Sequence, residues 1–415
     1  MFALGSMAVS LGLLVILMHR KVKLGRAIVA SAVMLGILLR VTPPVFWQAL
    51  MDEWHAKPLP QTTLYLWVSL TALVMLVNVL GIAMKETGVS DRLAPALQRL
   101  FRSRRFALAS IPMIMGLLPT PGGIMLSAPM VRDLGDSLGV DRSRLASINF
   151  LFRHQWETVW PLFPSVPLIQ GMFGISAMAL ISHNMAITVA GTTGGVIFLL
   201  ASALPKSLAK NRPTGHISEH LHNFGQALWP IAVVAGLYVG LNVPPAIGIA
   251  VAIIAFLACH KVPVTRWRAI FKKGFELDFA FLILGALLFK VNLEAGGAVA
   301  SVVSFFTTIH APAPVVIFFL PFVVAFLTGV TVPTVAMTFP FLLPWIGTGE
   351  QAKIGLETLA FSGVICGLLL TPVHLCLALS CTYFESSFAK IVPQLLIPVA
   401  FVAGAGVLMA LFFGG

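Results

Sequence analysis

The sequence predicts an all-α membrane protein of about ten transmembrane helices and two re-entrant hairpins, arranged as an inverted-topology repeat. Three observations carry that reading: the apolar content, the side on which the basic loops fall, and an echo between the two halves of the chain. Of 415 residues, 58% are hydrophobic and 10% are charged, where a soluble domain carries about 25% charge. Apolar runs recur from end to end, each long enough to cross a hydrocarbon layer of about 30 Å. A soluble interior could not hide so many. The 35 Gly and 27 Pro suit membrane helices, where neighbouring helices re-satisfy freed backbone groups.

Spans are expected at 2–18, 24–40, 62–84, 145–170, 178–204, 224–241, 245–260, 276–291, 356–382 and 393–412. The first run is followed by its positive charges, whereas a secretory signal is preceded by them. It is therefore kept as a helix with its N-terminus outside. Two further apolar regions, 106–131 and 311–346, are interrupted in the middle by Pro, Gly and Thr. Their arms are short for a crossing and suit hairpins that enter and leave on one side.

The charges agree with this layout. With the N-terminus outside, every dense basic segment falls on the cytoplasmic face, as the positive-inside rule requires. These include Arg20 to Arg26, Arg99 to Arg105, Arg132 to Arg144, Lys206 to Arg212 and Lys261 to Lys273. Segment 41–61, with Asp52 and Glu53 against Lys57, falls outside. Two full crossings in place of either hairpin would keep the same parity. The net charge of +12 is thus spent on orientation and headgroups, and no nucleic acid is expected. Four Cys without a CxxC pair give neither a disulfide framework nor a zinc motif.

The halves echo each other. Glu86-Thr87-Gly88 precedes the Pro119–Gly123 cluster much as Glu294-Ala295-Gly296 precedes Thr328–Thr331. An odd number of spans separates the matching points, so the second half enters the bilayer upside down. The expected units are a first repeat, 1–204, a cytoplasmic linker, 205–223, and a second repeat, 224–415. Inverted repeats with broken segments place a substrate at the half-helix ends, near the midplane. Such ends offer unpaired N–H groups to an anion and unpaired carbonyls to a cation.

Three clusters are candidates for that work. In the first hairpin, Thr120, Gly122, Gly123 and Ser127 supply hydroxyls and close backbone approach. Thr328, Gly329, Thr331 and Thr334 do so in the second. Inside the fourth span lies Asn149-Phe150-Leu151-Phe152-Arg153-His154-Gln155-Trp156-Glu157-Thr158. A mid-membrane charge costs roughly 2.5–3.5 kcal/mol, which makes it a functional candidate. Two readings of Arg153 and Glu157 stand side by side. They form a structural ion pair at i,i+4, or Arg153 and His154 face the cavity while Glu157 relays charge. His154 and Glu157 also have metal-ligand spacing, but the segment offers no third ligand, so no metal site is assigned. The matching span of the second half carries Thr371-Pro372-Val373-His374-Leu375-Cys376. Pro372 should open the helix beside His374. His216, His220 and His222 read as a solvated linker, and Lys290 and Glu294 as snorkelling to the outer interface. No Walker loop, nucleophile elbow or HExxH occurs, so neither an enzyme nor an ATP-driven pump is expected.

The stretches LLPTPGG, SAPMV, NFLFRHQWETVWPLFP and TPVHLCLALSCTYF resemble a prokaryotic family of integral membrane proteins grouped in the ion transporter superfamily. Its relatives include gluconate permeases, C4-dicarboxylate carriers and the large membrane subunits of TRAP transporters. Thr371 stands where that group usually has Ser. The resemblance implies an elevator-type carrier holding a small anion and, often, sodium. Carried across, it puts Pro119 to Gly123 and Thr328 to Thr331 at hairpin tips, and Asn149 and Thr371 to His374 at helix breaks. Sodium would sit near Pro119, Thr120, Thr328 and Thr371. It also implies a homodimer, with the spans near 24–40 and 224–260 as scaffold. The expected function is secondary transport of a small organic anion, a carboxylate by class, driven by sodium or protons across the inner membrane. A cation/proton antiporter using Glu157, His154 and His374 is the alternative.

Overall fold

The computed structural model describes residues 2–100, 103–117, 124–201 and 217–415. Regular structure among them is helical, with twenty α-helices from α1 (Phe2–His19) to α20 (Phe388–Phe413). Six stretches are long and apolar enough to cross a membrane: Phe2–His19, Thr63–Glu86, Ala177–Ala201, Ile217–Leu241, Ile354–Tyr383 and Phe388–Phe413. Two bent pairs raise the number to eight. They are Leu24–Leu38 with Pro43–Ala56, bent by 106°, and Leu277–Ala295 with Ala298–Thr308, bent by 69°. The chain is a multi-pass α-helical membrane protein.

Where the elements differ from expectation, proline supplies most of the reasons. The run 145–170 is not one helix but α8 (Arg142–Arg153), a turn-rich stretch, and α9 (Ser165–Phe173). Pro161 and Pro164 interrupt it, and each removes a backbone donor. The run 356–382 divides into α18 (Ile354–Leu370) and α19 (Leu375–Tyr383). There Pro372 holds Thr371 in an extended conformation, φ −82° and ψ 137°, because the residue before proline is excluded from the helical region. The second interrupted region forms α16 (Ala313–Thr328) and α17 (Thr331–Ile346). The chain turns between them at Gly329, whose φ of +67° suits glycine. The first forms α6 (Arg104–Met115) and α7 (Ile124–Asp136). Its expected tip, with Pro119, Thr120, Gly122 and Gly123, lies outside the described residues. Of the expected central linker, 205–223, only the last residues are described. Helix α11 (Ile217–Leu241) opens inside it, so His220 and His222 are helical and His220 is buried; His216 lies outside the described residues.

Lys290 corrects a further expectation. It does not reach the interface as a free cation; it is 2% exposed inside α14 (Leu277–Ala295). Its ammonium donates to Glu53 at 2.8 Å, Thr63 at 3.0 Å and Glu294 at 3.2 Å. The partner carboxylate comes from α3 (Pro43–Ala56), which spacing within α14 could not reveal.

The order of elements in α1–α10 recurs in α11–α20, and so does their packing. Helix α2 (Leu24–Leu38) packs on α14 as α12 (Pro245–Cys259) packs on α4 (Thr63–Glu86). Likewise α3 meets α14 as α13 (Val264–Gly274) meets α4, and α7 meets α19 as α17 meets α9. Helix α8 meets α20 as α18 meets α10 (Ala177–Gly195). The two broken helices therefore occupy equivalent places on opposite sides of a shared centre.

Candidate functional site

The centre is built by helix ends that cap one another. A helix terminus leaves backbone carbonyls without partners, and within a bilayer such groups must be met by protein. At the end of α6, the freed carbonyls are met by the turn-rich stretch after α8. Arg153 donates to Met115 O at 2.9 Å, Trp156 Nε1 to Met113 O at 2.9 Å, and Trp160 Nε1 to Leu117 O at 3.0 Å. The cation also complements the negative end of the α6 dipole. At the end of α16 the same service comes from the α18–α19 break. Thr371 Oγ1 donates to Phe326 O, and His374 Nδ1 donates to Gly329 O at 2.7 Å. Gly329 lies so close to the His374 backbone that an added Cβ would stand 3.0 Å from its nitrogen.

The two capping segments then meet. His154 Nε2 and His374 Nε2 stand 3.0 Å apart, although 220 residues separate them. Phe150 packs on both rings, with centroids 4.6 and 5.6 Å away. Glu157 Oε1 lies 3.9 Å from His154 Nε2. Its other oxygen accepts from Thr331 Oγ1 at 3.0 Å, which puts the carboxylate at the N-terminus of α17. That terminus and the N-terminus of α19 have no side-chain cap. Arg153, His154 and Glu157 are buried, while His374 and Cys376 are half-buried.

Most of the expected site residues among those described converge here: Arg153, His154, Glu157, Gly329, Thr331, Thr371 and His374. Helix α8 ends at Arg153, so the helical face on which Arg153 and Glu157 were to pair does not exist. Thr328 is turned to Thr334, hydroxyl to hydroxyl at 3.0 Å. Ser127 and Asn149 sit one turn away, where Ser127 donates to Asn149 Oδ1 at 2.6 Å and ties α7 to α8. The Phe326 and Gly329 carbonyls beside Thr328 already have protein donors, Thr371 Oγ1 and His374 Nδ1, so a sodium ion at those two oxygens would compete with them. Thr120, Gly122 and Gly123 lie outside the described residues.

Three residues at the centre were not among the expected site residues: Cys376, Trp156 and Trp160. Cys376 brings its ligand atom, with those of His154 and His374, to mutual distances within 4.8 Å. Its signal was present in the same TPVHLC stretch. Trp156 and Trp160 were given no role from the sequence, yet their indoles close the end of α6. At the other end of α18, away from the centre, Glu357 is fully buried and accepts from Asn184 Nδ2 at 3.4 Å. Among the described residues its Oε2 finds no partner. A carboxylate inside an apolar run is the signal that could have found it.

Fold and centre together define a multi-pass membrane protein in which both halves of the chain contribute one broken helix to a shared buried polar site. The chain belongs to the DUF401 family of proteins of unknown function, whose model matches residues 3–413. A comparison with curated proteins gives no match.

Proposed function

We propose that this protein is a secondary active transporter that carries a small organic anion, a carboxylate by class, coupled to a sodium or proton gradient by alternating access. The observation that carries the reading is the meeting of two equivalent helix breaks at one buried centre, with broken segments α6–α7 and α16–α17 closing on it. Half-helix ends at a repeat interface are where secondary transporters hold their cargo. The N-terminus of α19, which has no side-chain cap, favours an anion, as that of α17 already does in holding the Glu157 carboxylate.

The proposed topology has about ten spans with two hairpins entering from opposite faces, both termini outside, in the inner membrane. Ion pairs between distant segments support it. Arg132 with Glu385 at 3.5 Å and Lys273 with Glu86 at 2.7 Å join segments assigned to the cytoplasm. Glu53 with Lys290 at 2.8 Å joins two assigned to the outside. The mechanism is of elevator type, with a homodimer formed through α2, α11 and α12. The protein is a carrier rather than an enzyme, and it joins the ion transporter superfamily.

Uptake in proteoliposomes tests the reading. Accumulation of a carboxylate under a sodium or proton gradient is expected. Failure of every carboxylate under both gradients sinks it. Sodium-evoked proton movement without organic substrate would favour the antiporter instead.

A further inference from the structure

The two central histidines pose a problem of hydrogen bookkeeping. His154 Nδ1 lies 2.6 Å from Phe150 O and His374 Nδ1 lies 2.7 Å from Gly329 O. A carbonyl oxygen only accepts, so each Nδ1 must carry the ring hydrogen. In neutral rings both Nε2 atoms are then bare acceptors, and they face each other at 3.0 Å. Two lone pairs do not approach so closely unless something positive lies between them. Metal-ligating histidines show this same arrangement, with the outer N–H tied to a carbonyl or carboxylate so that the inner nitrogen is aimed and made more basic.

We propose that His154, His374 and Cys376 form a site for a divalent cation of the zinc class, with Glu157 balancing its charge, that bridges the α8–α9 break to the α18–α19 break. A ligand atom of each of the three lies within 4.8 Å of the other two. Imidazole with thiolate is a donor set that suits zinc and cobalt. Cys376 sits in the first turn of α19, and a bound cation would take it as the thiolate. The thiolate and the Glu157 carboxylate, 3.9 Å from His154 Nε2, would bring two negative charges to a buried centre that also holds the Arg153 guanidinium. His374 and Cys376 are half-buried, which leaves an entry path. The donors come from both halves of the chain, so spacing within one half could not disclose them.

The test uses the full chain in detergent, stripped with a chelator and titrated with Co2+ alone, then with Zn2+. One Co2+ per chain is expected, with a sulfur-to-cobalt charge-transfer band that Zn2+ abolishes. Cys376→His should keep stoichiometric binding and lose the band. His374→Ala should weaken binding by at least about tenfold, the scale on which even outer-shell changes act. Cys259→Ser, on the distant end of α12, should change nothing. The proposal is overturned if the wild type binds less than stoichiometric metal, which would leave a shared proton between the rings. It is equally overturned if band and affinity survive both His374→Ala and Cys376→His. The readout needs no gradient and no organic substrate, so it stands or falls apart from the transport assay.

Discussion

Lys290 shows how a single side chain ties the apolar architecture together. Its ammonium is enclosed by Glu53, Glu294 and Thr63, so α3, α4 and α14 share one buried charge cluster. Removing one member of such a cluster leaves its partner charged and desolvated, which typically costs about 3–5 kcal/mol. Lys290→Met should therefore lower the thermal melting point of the purified protein sharply. Lys290→Met combined with Glu53→Gln should recover part of the loss, because the more buried of the two carboxylates is neutralised. Glu53 keeps only Lys57, at 3.0 Å, in the single variant, and Glu294 stays unpaired from Lys290 in both. A double variant melting as low as the single one would refute this account. Much at this scale was legible in the sequence. Arg153, His154, Glu157 and His374 each stood out as polar groups inside apolar runs, and the structure gathers them. Their partners were not legible. His154 meets His374 across 220 residues, and Lys290 meets Glu53 across 237. Local spacing carries no information about either contact. The same criterion that picked out Arg153 would have picked out Glu357.

At the scale of elements, the breaks were readable because proline and glycine act locally. Pro372 ends α18 through the residue before it, and Gly329 lets the chain turn between α16 and α17. The length of the break after α8 was not readable. It depends on Trp156 and Trp160 preferring the open end of α6 to their own helix, which is a tertiary choice. Helix α8 also begins by a local device. Asp141 is its N-cap and accepts from the Ser143 amide at 2.9 Å and from the Ser143 hydroxyl. Those bonds hold the Asp141 carboxyl below the usual carboxylate range. A lowered folded pKa gives stability that is present above the ordinary carboxylate pKa and is lost as pH falls through the folded value. Asp141→Ala should thus cost about 1 kcal/mol at neutral pH, the usual worth of a cap. The gap between variant and wild type should close on acidification through the carboxylate range. A gap that stays constant with pH would show that the cap does not act through its charge.

For the whole molecule, the proposed topology assigns each loop to a face, and labelling checks it directly. A membrane-impermeant maleimide applied to intact cells should modify Glu350→Cys and Asp52→Cys. It should spare Ser137→Cys and Glu385→Cys until the membrane is permeabilised. Labelling of Ser137→Cys in sealed cells would break the parity on which the inverted repeat depends. That the chain is an all-helical membrane protein followed from hydropathy, because the bilayer forces backbone bonds into helices; against ten expected spans, six to eight stretches among the described residues are long and apolar enough to cross. The packing of one half on the other followed from neither hydropathy nor charge. It is visible only once α2 is seen against α14 and α12 against α4.

The indoles that close the end of α6 have one more consequence. Trp156 and Trp160, two of eight tryptophans in the chain, flank the stretch that holds Glu157, with ring centroids 6.1 Å apart. Their nitrogens are committed to the Met113 and Leu117 carbonyls. Any occupant that reshapes the centre must shift the polarity these chromophores sense. The protein thus contains its own optical gauge: intrinsic emission should change in colour or yield when the site fills, and that response should vanish in Trp156→Phe with Trp160→Phe.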